Sequence, residues 1–420
     1  LNVLSFQEIG LLLAGVMAGA LLNHLIYALA YFSQPISPWQ TRPSSLPALS
    51  RWARVPIVGW LHRKGDDQQF GKWFWVRPLL LELATPFLCL ALYRTIQSGT
   101  LVPTGGVIRS NELTVQFISF AILLFLMALA TWIDFDEQTI PDSITVPGTW
   151  IGLIGATLFP GWSLLETHHP GVAPFVTVVD SIHANSPYPW PLQWGQVGVG
   201  WSIGLPMVIW WIWCCSLGNL RWITRRGWSK AWGYGITAFL RSPNLPLILG
   251  MLVVGSILIV TGYAVLSPDR WRALFSSLMG IGLGGCLLWS FRIVATQVLQ
   301  QQALGFGDVT LMAMVGAFFG WQIVWIAFFL APLFGIVLLA IHMVVSRDAP
   351  IAFGPYLCAA TTYLMFDWNR VWPIVSDWFP PAESALLYLG GLLVLLGALL
   401  WAVRWLKLRL GLLLNMVRTG

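Results

Sequence analysis

The sequence predicts an all-α, polytopic transmembrane protein of about eleven membrane segments, N-terminus outside and C-terminus cytoplasmic, and three observations carry that prediction. Of its 420 residues, 57% are hydrophobic and only 10% charged, against about 25% charged in ordinary soluble domains. The apolar residues fall in blocks of roughly 20, the length that crosses a ~30 Å hydrocarbon core. Lys and Arg gather in a few loops between those blocks, as the positive-inside rule requires. That distribution accounts for the net charge of +6 with membrane lipid as the partner and no nucleic acid. The five cysteines, Cys89, Cys214, Cys215, Cys286 and Cys358, sit singly or as one adjacent pair in or beside apolar blocks. They build neither a disulfide framework nor a paired CxxC zinc site.

Residues 1–33 open without a basic n-region or a small-residue cleavage pattern, so they read as a retained first transmembrane helix whose one early charge is Glu8. Residues 34–77 form the most polar stretch, with Arg42, Arg51, Arg54, Arg63, Lys64, Lys72 and Arg77 against Asp66 and Asp67; the Lys/Arg bias assigns it to the cytoplasm. Pro35, Pro38, Pro43 and Pro47 keep its start irregular. Helices are expected near 78–97, 113–133 and 142–160, so that residues 78–158 form a transmembrane region. Further helices fall near 196–217, 245–267, 272–296, 308–320, 321–345, 355–368 and 384–406. Alternation puts Gly218 to Asn244, with Arg221, Arg225, Arg226, Lys230 and Arg241 and no acid, in the cytoplasm with Lys407, Arg409 and Arg418. The loop from Gly161 to Gly195, without Lys or Arg, falls outside. The runs at 308–320 and 355–368 are short for a full crossing and fit a thinned region or partial insertion. Trp60, Trp73, Trp75, Trp190, Trp194, Trp271, Trp372 and Trp378 stand near block ends, where headgroup anchoring is expected.

The chemistry is sought where acids meet apolar helices. Asp134, Asp136, Glu137 and Asp142 lie together in IDFDEQTIPD, between two apolar runs. Asp142 follows Pro141 and serves as a cap for free N–H groups. Asp134 ends a long apolar run, at a helix C-terminus where the dipole disfavours an anion. An ionisable group at that depth is a functional candidate by default, against the plainer reading of a carboxylate reaching for headgroups. A second isolated acid, Asp308, follows Gly305-Phe306-Gly307 at the same membrane face. Its plainer reading is an N-cap, with the glycines allowing close approach or unusual dihedrals. Two carboxyls, one ionised and one protonated, can activate a water and polarise an amide carbonyl without a metal. Such a pair must be partly desolvated to share a proton near neutral pH.

IDFDEQTIPDSITVPGTWIGLI, from Ile133 to Ile154, and ALGFGDVTLMAMVGAFFGWQ, from Ala303 to Gln322, resemble the two aspartate motifs of the type IV prepilin peptidases. Further similarity runs through GALLNHLIYALA, VPIVGW, RPLLLELAT and PIAFGPYL. The resemblance implies a GxGD membrane aspartic protease of the bacterial inner membrane that removes the leader of type IV prepilins or type II secretion pseudopilins. Carried over position by position, Asp134 and Asp308 match the catalytic aspartates, with Gly305, Gly307, Asp136, Pro141 and Asp142 as motif support. The substrate so implied has a short basic leader ending in Gly, followed by an apolar segment, and Asp136, Glu137 and Asp142 are candidates for attracting that leader.

The chain departs from the family pattern in three places. Residues 34–77 contain no cysteine, whereas bacterial members usually carry two CxxC pairs there, so no metal is implied. Methyl transfer from S-adenosylmethionine, an activity tied to that loop in the family, is expected to be absent or weak. Thr310 stands where Lys is usual, and the stretch between the two aspartates is longer than usual. The excess reads as a module inserted at 159–268, leaving 269–420 as the region of the GxGD motif. Packing of Trp52, Trp60, Phe70, Trp73, Phe74 and Trp75 against each other or the headgroups is expected to order the cysteine-free loop. Two other readings use the same acids: a presenilin-like protease, disfavoured because Pro47-Ala48-Leu49 lies upstream of both aspartates, and a transporter or inactive assembly factor with a proton relay.

Overall fold

The computed structural model describes residues 5–32, 34–41, 49–63, 66–103, 110–159, 161–168, 178–190, 198–218, 228–300, 304–345, 352–381 and 384–419. Every apolar run expected to be a helix is one: Phe6–Leu29, Val76–Gln97, Ser110–Glu137, Asp142–Leu158, Gly198–Ser216, Leu245–Val265, Pro268–Leu299, Phe306–Phe319, Trp321–Val345, Gly354–Val375 and Ala385–Thr419. Among the described residues six helices are long and apolar enough to cross a membrane, and Gly200–Ser216, Phe306–Phe319 and Trp321–Val337 are shorter apolar ones. The protein is thus an all-helical, multi-pass membrane protein.

Four local expectations are corrected. The Gly161 to Gly195 loop contains a two-stranded sheet, Leu165–His168 with Val178–Ser181. The basic loop contains the helix Trp228–Leu240, whose apolar positions 228, 232, 236, 239 and 240 recur at helical spacing inside a polar stretch. The helix expected to stop near 368 runs on to Val375 across a kink at Asp367, which has φ −120° and ψ 16°. There the Asp367 carboxylate accepts from the Tyr363 hydroxyl at 2.8 Å, so a polar residue is held where the apolar run ends. Trp60, Trp271 and Trp372 are buried rather than anchored at headgroup depth, while Trp73 and Trp378 are exposed. Trp194, Pro43 and Pro47 lie outside the described residues.

The chain divides into two compact units, within which most contacts are made. The first comprises Leu1–Gly148, Leu164–Asp180 and Leu330–Val371. In it Phe6–Leu29 lies along Val76–Gln97, and Gly15 and Gly19 permit the approach: a Cβ at Gly15 would run into the Pro86 backbone, and one at Gly19 into Glu82 and Thr85. Its core joins Leu22, Ile26, Tyr27, Ile36, Trp60, Leu129, Ile133 and Ile144. The cysteine-free loop is ordered around the buried Arg63, whose guanidinium lies over the rings of Trp60, Phe70 and Phe74 at 5.3, 5.9 and 5.5 Å. Arg63 also pairs with Asp66 at 3.1 Å and donates to the Ile36 carbonyl. Trp52 and Trp73 are exposed, where headgroups can reach them, and the Trp73 ring also stands 5.9 Å from that of Trp75.

The second unit comprises Thr149–Ser163, Ser181–Phe329 and Trp372–Gly420. Its centre is the helix Phe306–Phe319, buried from Asp308 to Phe319. Gly316 meets Gly280 of Pro268–Leu299 backbone to backbone, and a Cβ on either would collide with the other. Gly320, at φ +86°, turns the chain directly into the next helix. There Trp321 Nε1 donates to the Ala184 carbonyl at 2.7 Å and Gln322 Nε2 to that of His183 at 2.8 Å, which fastens the segment after the second strand.

Candidate active site

Asp134 lies in the last turn of Ser110–Glu137, and the helical repeat places it. Phe120, Leu123, Met127 and Ala130 form one buried stripe, and Asp134 is its next member. Its exposure is 4%. The helix ends when Gln138, at φ +56°, donates its N–H to the Asp134 carbonyl at 2.9 Å, after which Pro141 leads into Asp142–Leu158. The backbone N–H of Gly354 is within hydrogen-bonding reach of the Asp134 carboxyl. Gly354 is the first residue of its helix, so a partially positive N-terminus faces the acid. The first aspartate motif and the FGPYL motif therefore meet. Asp134 Oδ2 is buried and has no hydrogen-bond partner.

The other acids of this motif are engaged elsewhere. Asp136 pairs through both oxygens with Arg77, at 2.7 and 2.8 Å, and Arg77 also reaches the Tyr27 hydroxyl at 3.3 Å and lies over the Trp132 ring at 5.2 Å. Glu137 accepts the backbone N–H groups of Tyr31 and Phe32, both at 2.8 Å. Both acids thus fasten the first helix and the loop edge to the aspartate helix. Asp142 is the first residue of its helix rather than the residue before it, and its side chain is exposed.

Reasoning from the sequence missed Glu82, although an acid inside LLLELAT carries the same signal that singled out Asp134. It is 3% exposed. Its Oε1 accepts from Asn23 Nδ2 at 3.1 Å and Trp60 Nε1 at 2.8 Å, and its Oε2 from the Ile57 backbone N–H at 2.5 Å. Asn23 donates besides to the Pro78 carbonyl at 2.8 Å. The motifs GALLNHLIYALA, VPIVGW and RPLLLELAT, far apart in sequence, converge on this one carboxylate.

In the second unit Asp308 is the third residue of Phe306–Phe319, and its Oδ2 accepts the N–H of Gly305, the residue before the helix, at 3.0 Å. It is not the cap itself, as its plainer reading had it, but reaches back to the cap. Gly305 has φ −70° and ψ 156°, an ordinary extended conformation; a Cβ there would stand 3.3 Å from Asp308 Oδ2, so glycine serves close approach and not an unusual dihedral. Asp308 is 6% exposed. Arg292 holds the preceding turn by donating to the Leu304 carbonyl at 3.0 Å and lying over the Phe306 ring at 5.8 Å. Thr310 turns its hydroxyl onto the Gly307 carbonyl at 3.1 Å. Among the described residues no group of three His, Cys, Asp or Glu side chains could hold a metal ion.

Fold and sites define a polytopic helical membrane protein with a buried carboxyl at the end of a helix in each of two units. The model of the Type IV leader peptidase family matches residues 121–200 and 243–340, and each stretch contains one of the two aspartates. Over those residues the chain is similar to that family. It is 32% identical over 102 residues to the prepilin leader peptidase/N-methyltransferase of Stutzerimonas stutzeri, covering 24% of this chain and 35% of that protein. The protein of the same description from Pseudomonas aeruginosa is 37% identical over 94 residues, 21% of this chain and 32% of its own. Leader peptidase HopD of Escherichia coli is 31% identical over 101 residues, 23% of this chain and 63% of its own. The chain therefore spans about a third of the length of the first two. No solved structure matches.

Proposed function

We propose that this protein is a membrane aspartic endopeptidase that removes the N-terminal leader of type IV prepilins or pseudopilins at the cytoplasmic face of the bacterial inner membrane. In this reading Asp134 and Asp308 supply the two carboxyls. The observation that carries it is the unpartnered, buried Oδ2 of Asp134 within the family-matched stretch. Leaving such an acceptor unbonded costs about 1–3 kcal/mol, which a purely structural residue would have no reason to retain. In the proposed reaction the ionised carboxyl takes a proton from water as its oxygen adds to the scissile carbonyl. The protonated carboxyl donates to that carbonyl oxygen and recovers its proton on collapse, when the C–N bond breaks and the amine leaves with the proton the first carboxyl took from water. The basic stretches at 34–77 and 218–244 support the cytoplasmic assignment.

Asp134→Asn and Asp308→Asn are expected to lower leader removal in membranes to about a hundredth or less at equal protein level. The double variant should be hardly worse than either, because the two groups serve one step. Activity above about a few per cent in either variant overturns the two-carboxyl mechanism. Chelators are expected to leave cleavage unchanged; loss restored by zinc would contradict that.

Two finer points belong to the same proposal. The family match breaks between residues 200 and 243, which supports added residues within that gap, whereas 159–200 and 243–268 of the stretch read as an insertion at 159–268 are matched. Among the described residues of this loop and its flanking helix, two acids are already engaged and offer S-adenosylmethionine little. Its sulfonium and ribose hydroxyls want acceptors, yet Glu82 is taken by Asn23, Ile57 and Trp60, and Asp66 by Arg63. Methylation of the new N-terminus is therefore expected to be weak or absent, even though the relatives named above include N-methyltransferases. Mass spectrometry of the processed pilin from the native organism tests it: a stoichiometric gain of about 14 Da, lost when a plain peptidase replaces this one, contradicts it.

A further inference from the structure

The family match stops at residue 200 and resumes at 243, and the stretch it leaves out contains the helix Trp228–Leu240. Gly218 to Asn244 holds Arg221, Arg225, Arg226, Lys230 and Arg241 and no acid. The described side chains sort round this helix into three rows, because positions four apart share a face. Gly235 is buried and Phe239 half-buried, with Phe239 packed on Gly218, where a Cβ would run into its ring. That row fastens the helix beside the end of Gly198–Ser216. Next round the helix, Ile236 and Leu240 are 55% and 61% exposed. Beyond them Gly233 and Thr237 are exposed, and so is Arg241 directly after the helix, whose N–H still donates to the Thr237 carbonyl at 3.1 Å.

Two exposed rows of opposite character, side by side, limit what can surround the helix. Water alone leaves Ile236 and Leu240, two large apolar side chains one turn apart, without burial. Hydrocarbon alone leaves Arg241 without solvation. The boundary between lipid and water serves both rows. The chain path puts the helix at that boundary. The N–H groups of Ser242 and Leu245 donate to the carbonyls of Phe239 and Ser242 at 3.0 and 3.1 Å. This tight turn leads directly into Leu245–Val265, one of the helices long and apolar enough to cross a membrane. Counting back from Ile236 in fours, the sequence has Trp at 232 and 228, the residue type favoured at headgroup depth. Cations without an acid among them select anionic headgroups over zwitterionic ones.

We propose that the helix Trp228–Leu240 lies in the cytoplasmic headgroup layer, with Ile236 and Leu240 turned to the acyl chains and the basic residues of 218–244 bound to anionic phospholipid. The residues that the family match leaves out are then a lipid-binding surface. This goes beyond the peptidase reading: it requires that Leu245–Val265 spans the bilayer and makes no use of either aspartate.

The test uses the full chain in vesicles of phosphatidylcholine, with or without phosphatidylglycerol. A nitroxide is attached through p-acetylphenylalanine, which spares the five cysteines. It is placed at Ile236 or Leu240, at Gly233 or Thr237, and at Leu249, exposed in the spanning helix, as the lipid reference; the open space at Gly233 admits it. With phosphatidylglycerol present, Ile236 and Leu240 are expected to be relaxed by oxygen, as Leu249 is, and Gly233 and Thr237 by a water-soluble nickel chelate. Amide hydrogen exchange over 228–240 in the unlabelled chain is expected to be about tenfold slower with phosphatidylglycerol than without, and the triple variant Arg225→Gln, Arg226→Gln, Lys230→Gln to lose that slowing. Nickel access at all four helix positions puts the helix in water and overturns the proposal. Oxygen preference at all four puts it in hydrocarbon and overturns it as well. Equal exchange in the two lipid mixtures overturns the choice of anionic lipid. Ile236 and Leu240 open to nickel in vesicles yet shielded in native membranes would assign the apolar row to a protein partner instead. None of these readings depends on prepilin cleavage, so the proposal and the peptidase reading fail separately.

Discussion

Glu82 and Asp134 belong to the same unit, end up almost equally buried at 3% and 4%, and differ in how they are bonded. Three N–H donors from two other segments converge on Glu82, whereas Asp134 has a helix N-terminus within reach and a bare, buried oxygen. A carboxylate surrounded by donors is held as a fixed anion, and any change of its charge or shape leaves those donors unpaired. One with an unoccupied oxygen can take up a water or a proton without dismantling its surroundings. Burial alone therefore does not separate a structural acid from a reactive one; the count of bonded oxygens does.

That contrast is sharpest in a pair of isosteric substitutions. Asp134→Asn should cost catalysis a factor of about 100 or more while changing stability by no more than about 1 kcal/mol, since no donor loses its partner there. Glu82→Gln should do the reverse, destabilising the first unit by about 2–4 kcal/mol because the new NH2 group opposes donors. Thermal unfolding of the purified protein in detergent, run beside the cleavage assay, reads both. An unfolded Asp134→Asn together with a neutral Glu82→Gln would invert the comparison.

Smaller effects sharpen it further. Trp60→Phe removes one of the three donors and keeps most of the ring, so a loss of about 1 kcal/mol is expected, visible as a lower midpoint with cleavage retained. Asp136→Asn breaks a bidentate pair with Arg77 whose side chains are 30% and 42% exposed; about 1 kcal/mol or less is expected, shrinking further in high salt. A loss as large as that from Glu82→Gln would mean that the Arg77 cluster organises this region more than Glu82 does.

The difference between the two acids also marks what could be read from the chain alone. Both stand in apolar runs, and the same signal, an ionisable residue among hydrophobic ones, was present at each. Asp134 could be singled out because further acids follow it and a second motif, Gly-Phe-Gly-Asp, repeats the pattern. Glu82 could not, because its role depends on Asn23, Ile57 and Trp60, whose convergence no local pattern encodes. Trp60 misled for the same reason: a tryptophan at a block end reads as an anchor, yet this one is buried against Arg63 and Glu82.

By itself the sequence determined the eleven helical runs, because transfer of about 20 apolar residues into lipid is a local, additive free energy that needs no tertiary partner. It also determined that Asp134 and Asp308 stand near helix ends, since Pro141 follows the first within two turns and Gly305 and Gly307 immediately precede the second. Only the tertiary structure decided which buried polar groups are satisfied. Glu82 is bonded three times and the Oδ2 of Asp134 and the Nε1 of Trp213 not at all. A hydrogen bond forms within about 3 Å, and whether a donor from a distant segment arrives within that range is settled by helix packing, through contacts such as Gly19 on Glu82 and Gly280 on Gly316.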